Sequence, residues 1–297
     1  MDRRAFLAAA AAAVVTPLPA RAATPESDDF IQKDLVLDGD KRIAKRTLIL
    51  IPKHVPSSEK LRVLVLLHGL GETGNELLGI HAWGERYGLV SCYERLRRPP
   101  VVRVAPKFKW FTDEHLTSVN SDLEKRPFRG MLLVCPVTPN PSKGPARTLD
   151  RYADWIEKTL LPAVRKEANC ATGPANTGLD GCSLGGYVGM EVFLRKPELF
   201  GTFGGVQAAF NQASGIRYAE QLKKTIDKVG SRAIHIETSS QDPFKKANQA
   251  LSKKLTELGV DHTLSVIPGP HNQPWLKEVG TLDMLLWHDR RLGKSKK

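Results

Sequence analysis

The run Leu61–Leu67 (LRVLVLL) is apolar at every position but Arg62. A strand with apolar residues on consecutive positions must be covered on both faces. Met131–Val137 (MLLVCPV) is a second such run. Elsewhere the period changes. Apolar residues at 149, 152, 153, 156, 160 and 164 follow helical spacing, as do Phe244, Ala247, Leu251, Leu255 and Leu258, where Gly259 supplies a stop. Thr177–Gly181, Ser231–Glu237 and Thr263–Ile267 read as further strands, and Gly186–Leu194 and Trp275–Leu286 as helices. Strands alternating with helices of this length imply an α/β fold: a mostly parallel sheet with helices on both faces. Ile31–Val36 and Arg46–Ile51, joined through Asp38-Gly39-Asp40-Lys41, predict a hairpin and hence an antiparallel edge. Residues 98–128 break the alternation. They are charged, carry Trp110 and Phe111, and read as an irregular insertion near a functional site.

The N-terminus has the three parts of an export signal: Arg3-Arg4, an alanine-rich apolar stretch and Ala20-Arg21-Ala22, a small-residue cleavage site. The paired arginines followed by Phe6-Leu7 resemble a twin-arginine signal, which places the mature chain, residues 23–297, in the periplasm or outside the cell. The apolar stretch is too short for a stable membrane anchor. Cleavage after Ala22 lowers the formal charge from +12 to +10. The basic residues are scattered, apart from the small cluster Gly293–Lys297, and no zinc-finger spacing or RNA-binding motif accompanies them, so a nucleic-acid partner is not expected. Cys92, Cys135, Cys170 and Cys182 contain no C-x-x-C pair, which argues against a metal site; their disulfide pairing stays open.

Gly181-Cys182-Ser183-Leu184-Gly185 is a G-x-S-x-G pattern between a strand and a helix. A serine hydroxyl becomes a nucleophile only when a turn exposes it and a base removes its proton. Small residues two before and two after the serine relieve crowding at such a turn. The base needs a carboxylate to hold its tautomer. Asp242 follows the strand ending at Glu237, and His271 follows the strand ending at Ile267, in Pro268-Gly269-Pro270-His271. Both stand at carboxyl ends of strands, where open α/β sheets place their sites. Ser183, Asp242 and His271 are therefore the candidate triad. Asp242 also suits a helix cap, Glu237 is a rival acid within its strand, and His271 could be an ordinary loop histidine. After the apolar run at 61–67 comes His68-Gly69-Leu70-Gly71. An oxyanion hole needs two backbone N–H donors; Leu184 and Leu70 are the candidates, with Gly71 as second choice in the loop. His68 reads as a support of that loop. No Gly-Lys-Ser/Thr follows, which excludes a phosphate-binding loop.

These elements, the His68-Gly69 loop, Gly181–Gly186, Gln241-Asp242-Pro243 and Pro268–His271 followed by Trp275, resemble the esterase branch of the α/β-hydrolase superfamily, which includes feruloyl and acetylxylan esterases and S-formylglutathione hydrolases. The resemblance spans about 46–290. It implies an α/β-hydrolase domain over 23–297, a serine esterase acting on small-molecule or polymeric esters, no cofactor and an aromatic-lined pocket. Trp110, Phe111 and Trp275 are the candidate substrate contacts. An acyltransferase, a peptidase or a non-catalytic binding protein on the same scaffold are the competing readings.

Overall fold

The computed structural model describes residues 27–293. The signal segment 1–22 and residues 294–297 of the basic tail lie outside the described residues. Eight strands form one sheet: β1 (Phe30–Val36), β2 (Arg46–Pro52), β3 (Val63–Leu67), β4 (Leu132–Pro136), β5 (Thr177–Gly181), β6 (Thr202–Val206), β7 (Ala233–Gln241) and β8 (Thr263–Pro270). Their spatial order is β1-β2-β4-β3-β5-β6-β7-β8. β1 and β2 pair antiparallel, β2 pairs antiparallel with β4, and every later pairing is parallel.

Alternation of side chains across the pleat explains the uninterrupted apolar runs. Val63, Val65 and Leu67 of β3 join one core, with Leu132 and Val134 of β4. Leu64 and Leu66 join the other, with Leu133 and Cys135. Over the first core lie α4 (Thr148–Trp155), continued through a π turn into α5 (Leu161–Glu167), with α6 (Leu184–Arg195), α7 (Gln212–Val229) and α8 (Lys245–Glu257). The second is covered by α2 (Leu89–Arg97), α3 (Asp113–Lys125) and the C-terminal α9 (Thr281–Arg291); α1 (Glu76–His81) lies between the β3 loop and α2.

The insertion is more ordered than its composition suggests. After the turn Pro106–Phe108 it forms α3, thirteen residues long, with Thr112 accepting from the His115 amide as its cap. Leu116, Val119 and Leu123 give α3 an inward stripe. The irregular loop expected over 98–128 thus contains a docked helix of thirteen residues.

β5 and β6 are polar and glycine-rich yet wholly buried. A fully buried, hydrogen-bonded aspartate–histidine pair accounts for this. His288 of α9 bonds Asp180 of β5 through Nε2 (2.9 Å) and the Thr202 hydroxyl of β6 through Nδ1 (2.9 Å). A Cβ on Gly204 would sit 1.8 Å from Asp180 Oδ2, and one on Gly178 would sit 2.6 Å from the Thr202 hydroxyl. Gly178 and Gly204 are glycine because this buried pair and its threonine partner fill the space where their side chains would stand. Gly204→Ala is therefore expected to destabilise the chain by about 1–3 kcal/mol or more in urea denaturation. Gly74→Ala, where a Cβ meets nothing, should stay within about 0.5 kcal/mol of the parent.

Candidate active site

Ser183 sits between β5 and α6 with φ 55° and ψ −115°. For a residue with a side chain this is strained backbone, and neighbours must hold it. They do: the Ser183 amide donates to Val206 O (2.9 Å), and its carbonyl accepts from Ala209 N (2.9 Å). The flanking glycines are required by close approach. A Cβ on Gly181 would lie 2.3 Å from the Gly185 carbonyl, and one on Gly185 would lie 2.0 Å from Leu67 O. Cys182 points into the core, and burial pushes its thiol pKa far above the ordinary value. All four cysteines are free thiols.

β7 ends in a short turn that carries Asp242, whose side chain is fully buried. Its Oδ1 accepts from His271 Nδ1 (2.9 Å) and from the Phe244 amide (3.0 Å), and its Oδ2 accepts from the Thr238 hydroxyl (2.6 Å). The cap-like bond to the start of α8 and the bond to the imidazole thus coexist on one carboxylate. Glu237, the rival acid, stays inside β7, and neither of its carboxylate oxygens has a hydrogen-bond partner among the described residues. The Phe244 ring stands edge-on to the His271 ring at 5.6 Å.

Gln207, which the sequence reading overlooked, joins the loops that carry these groups. It follows β6 with φ 51°. Its amide donates to Glu237 O (2.6 Å), and its side-chain Nε2 donates to the Ser239 hydroxyl (2.7 Å) and to Pro270 O (3.1 Å). With the Ser183–Val206 bond this makes a chain of contacts across the carboxyl ends of β5, β6, β7 and β8. Ser183, Asp242 and His271 stand on that one edge. Gln207 lies in no motif that a single sequence could reveal.

The loop after β3 is clamped from several sides. His68 is fully buried; its Nε2 accepts from Thr138 N (2.8 Å) and its Nδ1 donates to Gly69 O (2.9 Å), so the ring is the neutral Nδ1–H tautomer. Burial also drives its pKa down. The Thr138 hydroxyl accepts from His68 N (2.8 Å). Gly69 N donates to the Tyr87 hydroxyl (3.0 Å), which donates to Glu72 Oε2 (2.6 Å), and Arg86 pairs with Glu72 Oε1 (3.2 Å). Leu70 heads the 3-10 turn Leu70–Glu72, and Leu184 is the first residue of α6. First-turn N–H groups lack intrahelical acceptors and are open to an anion.

The three expected substrate contacts separate. Trp110 is half-buried and stacks on the exposed Phe108 ring at 4.1 Å. Its ring lies beside Gly269, two residues before His271; a Cβ there would be 3.0 Å from Trp110 Cδ1. Phe111 is no substrate contact: it is wholly buried, edge-on to His115 and under the Arg95 guanidinium. Trp275 is also wholly buried, donating from Nε1 to Pro268 O (2.9 Å) and filling the space against Gly269 and Gly280. It props the histidine loop from beneath. In both cases the aromatic ring is the apolar filler its position needs, and only Trp110 has a face left over.

No protein-family model matches the chain, and no curated protein matches it. Solved structures do. The chain is similar to a ferulic acid esterase (TM-score 0.63, 16% identity, covering 88% of this chain and 97% of that one). It is similar to the S-formylglutathione hydrolase of Staphylococcus aureus (0.58, 15%, 90% and 99%). A ferulic acid esterase from Anaeromyces mucronatus, solved in complex with ferulic acid, is also similar (0.55, 14%, 91% and 94%). The chain has the α/β-hydrolase fold, with a mostly parallel eight-stranded sheet and an antiparallel edge.

The clamp on the β3 loop can be tested by itself. Tyr87→Phe leaves the Gly69 amide and the buried Glu72 carboxylate each short of one partner. It should cost about 1–3 kcal/mol in denaturant unfolding, the usual penalty for stranding buried polar groups.

Proposed function

We propose that this chain is a serine esterase that cleaves carboxylic esters through an acyl-enzyme on Ser183. The observation that carries the reading is the Asp242–His271 hydrogen bond (2.9 Å) on the same sheet edge as a serine held at φ 55°. A carboxylate accepting from Nδ1 leaves the lone pair of the neutral imidazole on Nε2. In the proposed reaction Nε2 takes the proton as Ser183 Oγ bonds to the ester carbonyl carbon. The carbonyl oxygen becomes an oxyanion, and the Leu184 and Leu70 amides are the donors assigned to it. Asp242 stabilises the imidazolium. Collapse expels the alcohol, which carries away the proton from His271, and water then repeats the sequence to release the acid. No step requires a cofactor.

The substrate is inferred to carry an aromatic or otherwise bulky group. Trp110 puts an aromatic face beside the His271 loop, and one structurally similar esterase was solved with ferulic acid. The N-terminal segment adds that the reaction takes place after export, in the periplasm or outside the cell.

Ser183→Ala should lower kcat/KM on p-nitrophenyl and feruloyl esters on the order of 10⁴-fold or more, with Asp242→Asn less damaging. A fluorophosphonate probe should label the parent at Ser183 and leave the alanine variant unmarked; full turnover in that variant would rule out the mechanism. Trp110→Ala should raise KM for feruloyl esters several-fold and leave acetyl esters unchanged. Equal kinetics on both would remove Trp110 from recognition.

A further inference from the structure

β7 directs His235 and Glu237, two residues apart, to the face that α9 covers. The His235 ring stacks on Trp287 of α9 (4.8 Å, 11° between planes). Asp283, in the first turn of α9, completes a cluster. One donor atom from each of the three residues lies within 4.8 Å of the others.

Glu237 is the unusual member. It is wholly buried, and neither carboxylate oxygen has a hydrogen-bond partner among the described residues. His235 is buried to 1% exposure, and its Nδ1 is likewise unpartnered, while its Nε2 has only a long contact to the Ser265 hydroxyl (3.5 Å). A buried carboxylate without donors is costly unless a cation or a proton neutralises it. The groups that bear most on Glu237 are the carboxylates of Asp283 and Asp180, of its own sign, and His288 already serves Asp180. Glu237 itself thus has no cationic partner among the described residues.

We propose that His235, Glu237 and Asp283 bind a divalent transition-metal ion of the zinc type between β7 and α9. One imidazole nitrogen with two carboxylates is a donor set that suits such ions; magnesium and calcium prefer oxygen alone. Donors at about 2.0–2.2 Å from one zinc stand roughly 3.5 Å apart, so small side-chain shifts close the cluster on the ion. Asp283 is held from outside by His115 Nε2 of α3 (2.9 Å on Oδ1), the second-layer hydrogen bond that commonly orients a metal-binding carboxylate. Asp283 and His115 keep 18% and 25% of their side-chain surface exposed, which provides a route for the ion and for waters that complete its coordination. Bound there, the ion ties β7 to α9 and, through His115, to the insertion. Its role is structural, and the inference does not depend on the esterase reading.

The test uses the full chain, stripped with EDTA, dialysed, titrated with zinc and assayed for metal content by mass spectrometry. About one zinc per chain is expected, with a rise in Tm, since a ligand of the folded state stabilises it. Glu237→Gln and Asp283→Asn should each weaken zinc binding at least about 100-fold, and His115→Ala about 10–100-fold. If Glu237→Gln does not fold, Asp283→Asn at the partly exposed position decides. Substoichiometric zinc in the parent, or binding unchanged in the foldable variants, would show that a proton neutralises Glu237 and would overturn the proposal. Calcium binding as tight as zinc would overturn the choice of ion.

Discussion

At the carboxyl end of β5 the chain turns from strand to helix with no room to spare. The Cβ that Gly185 lacks would fall 2.0 Å from Leu67 O, and that same carbonyl accepts the Cys182 amide at 3.0 Å. β3, β5 and α6 are thus in backbone contact, and the residue at the apex has one path left, at positive φ. The strain of such a conformation is about 1–3 kcal/mol. Two backbone hydrogen bonds to the β6 end and the residues beyond it, each contributing about 0.5–1.5 kcal/mol net, offset it. Ser183 stays partly exposed, between buried Cys182 and buried Leu184, because the packing beneath it is too tight to let it retreat.

The same edge depends on polar groups buried below it. Asp180 precedes Gly181 directly and is bonded to His288 on the far face. At the next residue of α9, Asp289 bonds Arg62 just ahead of β3 (3.0 Å) and Arg290 (2.6 Å), and Arg290 reaches Asp122 of α3 (2.6 Å). Buried ion pairs add little net stability, because desolvation consumes most of the Coulombic gain. Breaking one leaves an uncompensated charge, so they discriminate strongly against other placements of the helix. A single register of α9 satisfies Asp180, Arg62 and Asp122 together. That register also sets where Trp275 and the His271 loop lie.

Sequence patterning made some of this legible and hid the rest for identifiable reasons. β3 and β4 stood out because residues of both parities are apolar. The G-x-S-x-G turn and the carboxylate and histidine after later strands were legible because each sits where a strand run stops. β6 was hidden by its Gly204-Gly205 pair, which depresses strand propensity, and the reason for Gly204 is an aspartate on another strand. α3 was hidden by its charge, although Thr112 followed by Asp113-Glu114 is a start signal and Leu116, Val119 and Leu123 have helical spacing. Phe111 and Trp275 show the limit for aromatic residues. Composition cannot say whether a ring faces a ligand or the core, since both need the same apolar surface. Gln207 could not be found from sequence, and Glu237 was legible only as a rival acid, because their meaning comes from partners, or from the lack of them, outside their own segment.

The docking of the insertion decides what kind of surface Trp110 can be. The segment joins α2 to β4, and β4 enters the sheet from its amino end, opposite the Ser183 edge. A short link would never approach the site. Here the chain is drawn back by specific bonds. Glu278 Oε2, buried behind the histidine loop, accepts from the Val104 and Ala105 amides (3.0 and 2.6 Å). Asn120 of α3 pairs with both backbone groups of Val101 (2.7 and 3.0 Å). Arg103 returns to Phe111 O and Asp113 (both 2.6 Å), closing the loop on itself. Phe111 then anchors the next position in the core, so the residue before it is fixed at its base while its ring remains half-exposed. A wall held this way loses little freedom when a substrate packs against it, and a mobile lid would have to be ordered first. Trp110 is accordingly held in place before any substrate arrives: its buried neighbour Phe111 fixes the backbone from which the proposed contact projects.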